Sequence, residues 1–330
     1  VPQPGYYITD AITDEAIAMV DRATEAAVPF FLHLSHVAPH WPLHALAEDV
    51  ARYAGVYDIG WDALRKRRHE RLQALGLIDP GWECSERDPY APPWESLDDD
   101  TRRWEATRMA VYAAMIDRMD QSVGRLVAHL KVIGAFDSTV IVFLSDNGGC
   151  AEFLHEDGWG QWYGHATPDG RPMRVGNVPE ITPGPDDTFM SYGLSWANAS
   201  NTPFRLFKHY VHEGGIATPA LFHGPPHIAS GRISHSPCHV EELLPTLLDL
   251  AGVVRPTVRD GIEVQPYSGE SFRDALRGDE WHRHNPVCLE HEGNAAVRDG
   301  QYKAVRKYPD AWELYDMHRD RTERNNIALA

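Results

Sequence analysis

An apolar run that breaks into a carboxylate, an amide and two glycines is the first stretch equipped for chemistry. Thr139 to Leu144 is β-branched and aromatic without charge, and Ser145-Asp-Asn-Gly-Gly149 follows it. The run predicts a strand buried on both faces of a parallel sheet, and the turn residues end it. Asp146 and Asn147 then stand at the carboxyl end of a strand, where open α/β sheets bind ligands. A carboxylate beside an amide carbonyl offers hard oxygen donors, suited to Ca2+ or Mg2+. Two following glycines let the backbone approach a ligand closely. Taken alone, the same residues also read as an ordinary turn.

Three other places carry candidate groups. His33, His36, His40 and His44 recur at helical spacing, but Pro39 and Pro42 forbid one helix through them. The segment reads as a rigid loop after a strand. His40, held between the two prolines, is the imidazole fixed for proton donation or anion binding; the other three read as strand or rim residues. Lys208 follows Arg205 by three, among aromatics, and locally reads as an exposed lysine. Cys84-Ser-Glu-Arg87 is a candidate reactive thiol.

The elements that must position these groups alternate. Thr13 reads as the N-cap of a helix running to about Ala27, and Phe30 to Ser35 as a strand. Trp61 to Leu75 reads as a helix with Arg65-Lys-Arg-Arg68 on a solvated face, and residues 79–93 as a surface wrap. Residues 99–133 give the strongest helix, with Tyr112, Met115, Ile116, Met119, Val123, Leu126, Val127 and Leu130 on its core stripe. Helix followed by strand occurs twice, which predicts an α/β fold. Residues 151–201 lack periodicity and read as a wall or lid. Their Gly158-Trp-Gly-Gln-Trp-Tyr163 could receive an aryl or sugar ring, or pack the lid. A strand at Ala217 to His223 and a helix at Pro237 to Ala251 follow. After Gly252 the texture changes to a linker and short strands, so residues 1–254 read as the main domain and 255–330 as a small antiparallel α+β subdomain. Asp320-Arg-Thr-Glu323 reads as the start of a last helix.

The 330 residues carry a net charge of −17, which argues against nucleic acid or anionic membrane as the main partner. It leaves room for an anionic substrate in a locally positive pocket. No apolar run approaches the roughly 20 residues of a membrane span, and no leader peptide is visible in a chain that starts at Val1. The four cysteines are widely spaced and read as buried or incidental thiols. They lean to a reducing, cytoplasmic setting and leave a periplasmic one open. Asn198-Ala-Ser200 reads as a chance glycosylation sequon.

Together the motifs resemble the sulfatases of the alkaline-phosphatase-like superfamily, and within them the arylsulfatase group. The resemblance rests on Ala38-Pro-His-Trp-Pro42, Leu144-Ser-Asp-Asn-Gly-Gly149, Thr202-Pro-Phe-Arg-Leu-Phe-Lys-His209 with Glu213-Gly-Gly215, Glu290-His-Glu-Gly293, Val297-Arg-Asp-Gly300 and Trp312-Glu-Leu-Tyr-Asp316. They occur in the family's order over nearly the whole chain. The resemblance implies an alkaline-phosphatase-like α/β sandwich of helices around a mostly parallel sheet. It implies that Asp146 and Asn147 ligate a divalent metal, usually Ca2+, with Mg2+ or Mn2+ as alternatives, and that Asp146 also takes a proton from the nucleophile. Lys208 would bind the sulfate and its bridging oxygen. His40 would hold the ester oxygen and assist its departure.

The departures carry equal weight. Sulfatases attack with a formylglycine made in a C/S-x-P/A-x-R motif, and neither that motif, nor the paired metal-binding aspartates, nor a G-K-W-H-like motif occurs here. Cys84-Ser-Glu-Arg87 lacks the Pro or Ala and lies too far along the chain. The expectation is therefore the carboxyl-terminal part of a sulfuric ester hydrolase, with about half its site, missing its first strands and inactive alone. Its substrate would be a small sulfate ester, aryl or sugar. The alternatives are a phosphonate or phosphodiester hydrolase of the same superfamily and a non-catalytic binding module. Oligomeric state is open.

Overall fold

The computed structural model describes residues 5–154 and 164–328. The helices are α1 (Ile8–Glu25), α2 (Ala47–Ala51), α3 (Gly60–Ala74), α4 (Asp99–Val132), α5 (Gly193–Ser200), α6 (Glu213–Ile216), α7 (Leu243–Ala251) and α8 (Arg273–Arg277). The strands are β1 (Ile141–Leu144), β2 (Arg174–Val175), β3 (Thr188–Phe189), β4 (Ala220–His223), β5 (Val258–Arg259), β6 (Ile262–Glu263), β7 (Val287–His291), β8 (Asn294–Asp299), β9 (Tyr302–Arg306) and β10 (Glu313–Asp316).

Helix α4 organises the main body. Asp98 caps it by accepting from the Thr101 amide at 2.8 Å, and Asp99 and Asp100 favour the dipole at its start. Its inner face, with Met109, Val111 and Met115, packs into a core built on Trp61, Trp94 and Trp196. These three indoles meet edge to face at centroid distances of 4.7, 5.3 and 5.8 Å, the geometry the ring quadrupole favours. Ile116 departs from the expected stripe and is exposed, while Arg108 is buried and donates to the Ser191 carbonyl.

Several boundaries differ from the sequence reading. Helix α1 begins five residues before Thr13; Thr13 lies inside it, buried, donating to the Thr9 carbonyl. Residues 30–35 form no strand, and Phe31 is exposed, because no neighbouring strand among the described residues supplies ladder partners. Strand β1 pairs antiparallel with β4 in a two-stranded sheet, and it is half-buried to exposed. Among the described strands β2 and β3 pair in parallel, and a single parallel bridge joins His44 to Gly184. Arg65 leaves the solvated face of α3 and is buried, donating to the Ser85 carbonyl at 2.7 Å. Within 151–201, α5 is core rather than lid: Trp196, Ala197 and Ala199 are fully buried. Asn198, also buried, accepts from the Asp88 amide, which leaves the sequon without an accessible acceptor.

Strands β7 to β10 form the expected antiparallel meander. No helix follows at Asp320. Its carboxylate caps the amides of Arg324 and Asn325, and Glu323 adopts φ +57, which a right-handed helix excludes. The meander is tied to the main body through ions out of water. Lys303 Nζ lies 2.9 Å from Glu213 Oε1 and 2.8 Å from Glu323 Oε1, and Arg321 Nε lies 2.9 Å from Glu213 Oε2. All but Arg321 are essentially buried. Burial raises the Glu213 carboxyl, but the charges of Lys303 and Arg321 outweigh it and hold the group below its ordinary value.

Removing one partner of such a cluster leaves a buried charge uncompensated. Lys303→Met should cost about 3–5 kcal/mol, read by urea unfolding. Because the Glu213 carboxyl is depressed, its contribution is present above the ordinary value of 4.5 and is lost as pH falls through the folded value. The wild-type midpoint should fall on acidification below about pH 4.5, and Lys303→Met should flatten that dependence.

Candidate active site

The loop after β1 is held by glycine contacts. Ser145 Oγ donates to the Asn147 carbonyl, and the Asn147 amide to Asp146 Oδ1 at 3.0 Å. Gly148 N donates to Gly215 O at 2.9 Å, Gly149 N to Asn201 Oδ1 at 2.8 Å, and Lys208 N to Gly149 O at 3.1 Å. A Cβ at Gly148 would fall 1.8 Å from the Gly214 oxygen, and one at Gly214 2.1 Å from the Arg205 oxygen. These glycines are needed so that backbone can approach backbone; the partner is the 205–215 loop rather than a ligand. The same hydrogen bonds set Lys208 beside the Asp146 loop.

Across this junction lies His40. Lys208 Nζ and His40 Nε2 are 3.3 Å apart. His40 Nδ1 is 2.8 Å from the Trp41 carbonyl. A carbonyl only accepts, so Nδ1 carries the proton and Nε2 is the nitrogen presented beside the lysine. Two residues separated by 168 positions thus converge, one a cation and one a proton carrier.

Glu152 underpins the pair, and neither its spacing nor its neighbours in sequence marked it. Its Oε2 accepts from Trp41 Nε1 at 2.6 Å, its Oε1 lies 3.1 Å from His209 Nε2, and Lys208 Nζ lies 4.0 Å away. Burial raises the Glu152 carboxyl, but hydrogen bonds from His209, Cys150 and Trp41 and the Lys208 charge outweigh it, leaving the group below its ordinary value. His209 was likewise missed; its φ of +84 is uncommon for a residue with a side chain and was a signal only coordinates provide.

Asp146 is exposed and Asn147 half-buried, and among the described residues neither side chain hydrogen-bonds to His40 or Lys208. Asn147 Nδ2 donates to Gly148 O, so its Oδ1 has no partner among the described residues, nor does Asp146 Oδ2. Two such oxygens fit a hard divalent cation and supply part of the roughly six to eight ligands Ca2+ takes.

The Cys84 and Cys150 thiols are unsuited to attack. Burial pushes Cys150 up to about 11, and burial also raises Cys84 although the Arg65 guanidinium opposes it. All four cysteines are free. The aromatic stretch 158–163 lies outside the described residues. Among the described residues no helix is long and apolar enough to cross a membrane.

The sulfatase family profile matches residues 1–253, and the profile of the N-sulphoglucosamine sulphohydrolase carboxyl-terminal region matches residues 204–329. The chain belongs to the sulfatase family. It is 33% identical to an uncharacterized sulfatase of Schizosaccharomyces pombe, over 98% of this chain and 58% of that protein. It is 34% identical to an arylsulfatase of Klebsiella aerogenes, over 75% of this chain and 51% of that one. The chain therefore spans about half the length of these relatives. The crystal structure of Ps i-CgsB in complex with k-i-k-neocarrahexaose superposes with a TM-score of 0.62 at 25% identity, covering 99% of this chain and 52% of that one. The phosphonate monoester hydrolase of Agrobacterium radiobacter shares the fold, with a TM-score of 0.56 at 19% identity, over 98% of this chain and 58% of that one. The architecture is thus the alkaline-phosphatase-like α/β fold, with the four-stranded antiparallel sheet at its carboxyl end.

The glycine junction gives a direct test of how the site is assembled. Gly148→Ala should overpack against the Gly214 carbonyl and cost about 1–3 kcal/mol or more, seen as a lower urea midpoint. An unchanged midpoint would mean the two loops are not in backbone contact.

Proposed function

We propose that this chain forms one wall of a sulfatase active site that hydrolyses small sulfate monoesters, aryl or sugar sulfates. The observation that carries this reading is the convergence of Lys208 Nζ and His40 Nε2 at 3.3 Å beside the Asp146-Asn147 loop. It is supported by the sulfatase profile and by relatives named for sulfate esters, among them an N-acetylglucosamine-6-O-sulfatase of Bacteroides thetaiotaomicron. Lys208 binds the sulfate oxygens, including the bridging one. His40, with Nδ1–H committed to the Trp41 carbonyl, turns Nε2 to the ester oxygen; carrying a proton there, it donates it as the S–O bond breaks. Glu152 and Trp41 hold these two groups in place. Asp146 accepts the proton of the nucleophile. Asp146 and Asn147 hold a divalent cation, Ca2+ or alternatively Mg2+ or Mn2+, which when bound supplies fixed positive charge to the sulfate oxygens. The nucleophile is a formylglycine outside these residues, since no C/S-x-P/A-x-R sequence occurs among them. On this reading the 330 residues by themselves do not turn over.

The test uses the protein expressed from its full coding frame and assayed on an aryl sulfate. Lys208→Ala and Asp146→Ala should each lower kcat by about 10²–10³ with circular dichroism unchanged. EDTA should abolish turnover, and added Ca2+ should restore it. Turnover near wild type in Lys208→Ala overturns the assignment of that residue. Faster cleavage of an aryl phosphonate monoester than of the sulfate would place the protein with the phosphonate hydrolases instead.

A further inference from the structure

Next to Lys208, one imidazole is flanked by two carboxylates. His209 Nε2 lies 3.1 Å from Glu152 Oε1, and His209 Nδ1 lies 3.1 Å from Glu292 Oε2. Carboxylates only accept, and a neutral imidazole has one N–H to give. One of the two contacts therefore needs an additional positive centre. His291 stands beside it: its Nε2 is 3.8 Å from Glu292 Oε1, and its ring centroid is 5.6 Å from that of His209, with the planes 32° apart. One donor atom each from His209, His291 and Glu292 lies within 4.8 Å of the others.

We propose that His209, His291 and Glu292 bind a divalent ion of the zinc class, separate from the hard-oxygen cation position at Asp146 and Asn147. His209 Nδ1, His291 and a Glu292 oxygen are its ligands, and a water completes the tetrahedron. Two imidazoles and one carboxylate suit Zn2+ rather than Ca2+ or Mg2+. Glu152 then plays the part that carboxylates take behind metal-bound histidines. It accepts the Nε2–H of His209, which fixes the ring and leaves Nδ1 free to ligate.

The backbone is already arranged for this. Glu292 and Gly293 form the tight turn between β7 and β8, both at positive φ (+54 and +83), which aims the Glu292 side chain back over the Lys208 loop. Asn294 Nδ2 donates to the His209 carbonyl at 3.0 Å, and the Asn294 carbonyl oxygen of the side chain accepts from the Tyr308 amide at 3.0 Å. His209 is thus held at φ +84, a conformation that persists only where surroundings impose it and that clusters at functional sites. Ligands about 2.1 Å from zinc cannot lie more than about 4.2 Å apart, so the donors need to close by well under a side-chain length. His291 and Glu292 are exposed and free to make that adjustment. The ion would clamp the carboxyl-terminal sheet to the loop carrying Lys208. The proposal stands on these residues and does not rest on the sulfatase reading.

The experiment titrates the full protein with Zn2+ alone by calorimetry, in excess Ca2+ to fill any hard-oxygen position, and reads thermal midpoints in parallel. The wild type should bind one equivalent and gain midpoint on binding. Glu152→Gln should weaken binding by about 10–100-fold, and His291→Ala and Glu292→Gln at least as much. Because both ligands are exposed, the metal-free midpoints of the latter two should match wild type, which separates lost binding from lost folding. No uptake by the wild type, or equal uptake by His291→Ala, Glu292→Gln and wild type, would overturn the proposal. The first outcome would leave His209 between its two carboxylates without a metal, and the second would mark an adventitious surface ion.

Discussion

Gly148 has room for a hydrogen where a side chain would meet a carbonyl oxygen, and the candidate site is built on that contact. The strand that ends at Leu144 delivers Asp146 and Asn147 to one loop, and the 202–215 segment delivers Lys208 on another. Nothing joins these loops covalently. They meet where Gly148, with no Cβ to strike the Gly214 oxygen, donates to the Gly215 carbonyl, and where the Lys208 amide donates to the Gly149 carbonyl. Each such bond contributes modestly, about 0.5–1.5 kcal/mol, but leaving a buried partner unpaired costs more. The glycine pairs are therefore a positioning device for side chains that lie beyond them.

A second constraint comes from the carboxyl-terminal sheet. Lys303, fully buried, is placed between Glu213 and Glu323. A buried ion cluster of this kind is weak evidence for net stability, since desolvation offsets much of the attraction. Its consequence is geometric: Glu213 immediately precedes the glycine pair that receives the Asp146 loop. Arg205, on the same segment, reaches the Tyr315 hydroxyl and the Glu323 carbonyl. The sheet thus reaches the site from behind, through the segment that carries Lys208. Val211 adds an apolar contact, packing with Ala296, Val305, Tyr315 and Met317.

The polar groups in front of that support form one connected set. Trp41, Cys150, Glu152, Lys208, His209 and Glu292 link the Pro-bracketed loop of His40 to the β7–β8 turn. Glu152 is the common member, and its depressed carboxyl shows that donors outweigh burial around it. A carboxylate stabilised in this way can orient a lysine and a histidine at once without itself taking a proton at neutral pH.

Much of this was legible in the sequence, and the parts that were not share a cause. Local signals carried α3, α4 and the meander, and α7 except for its first six expected residues, because periodicity and composition are properties of neighbouring residues. Motif order carried the family, and with it His40, Lys208, Asp146 and Asn147 as candidates. Strand pairing was misread at Thr139–Leu144 and at Phe30–Ser35, since whether an apolar run becomes a buried parallel strand depends on which strands lie beside it. Arg65 looked like a surface residue because burial is decided by what packs over it. Glu152, His209 and His291 carried no signal of spacing. Sequence alone determined which groups were available and which local elements would form. Only the tertiary structure decided that residues 40, 152, 208, 209 and 292 would come together, because their contacts form between side chains on segments far apart in the chain.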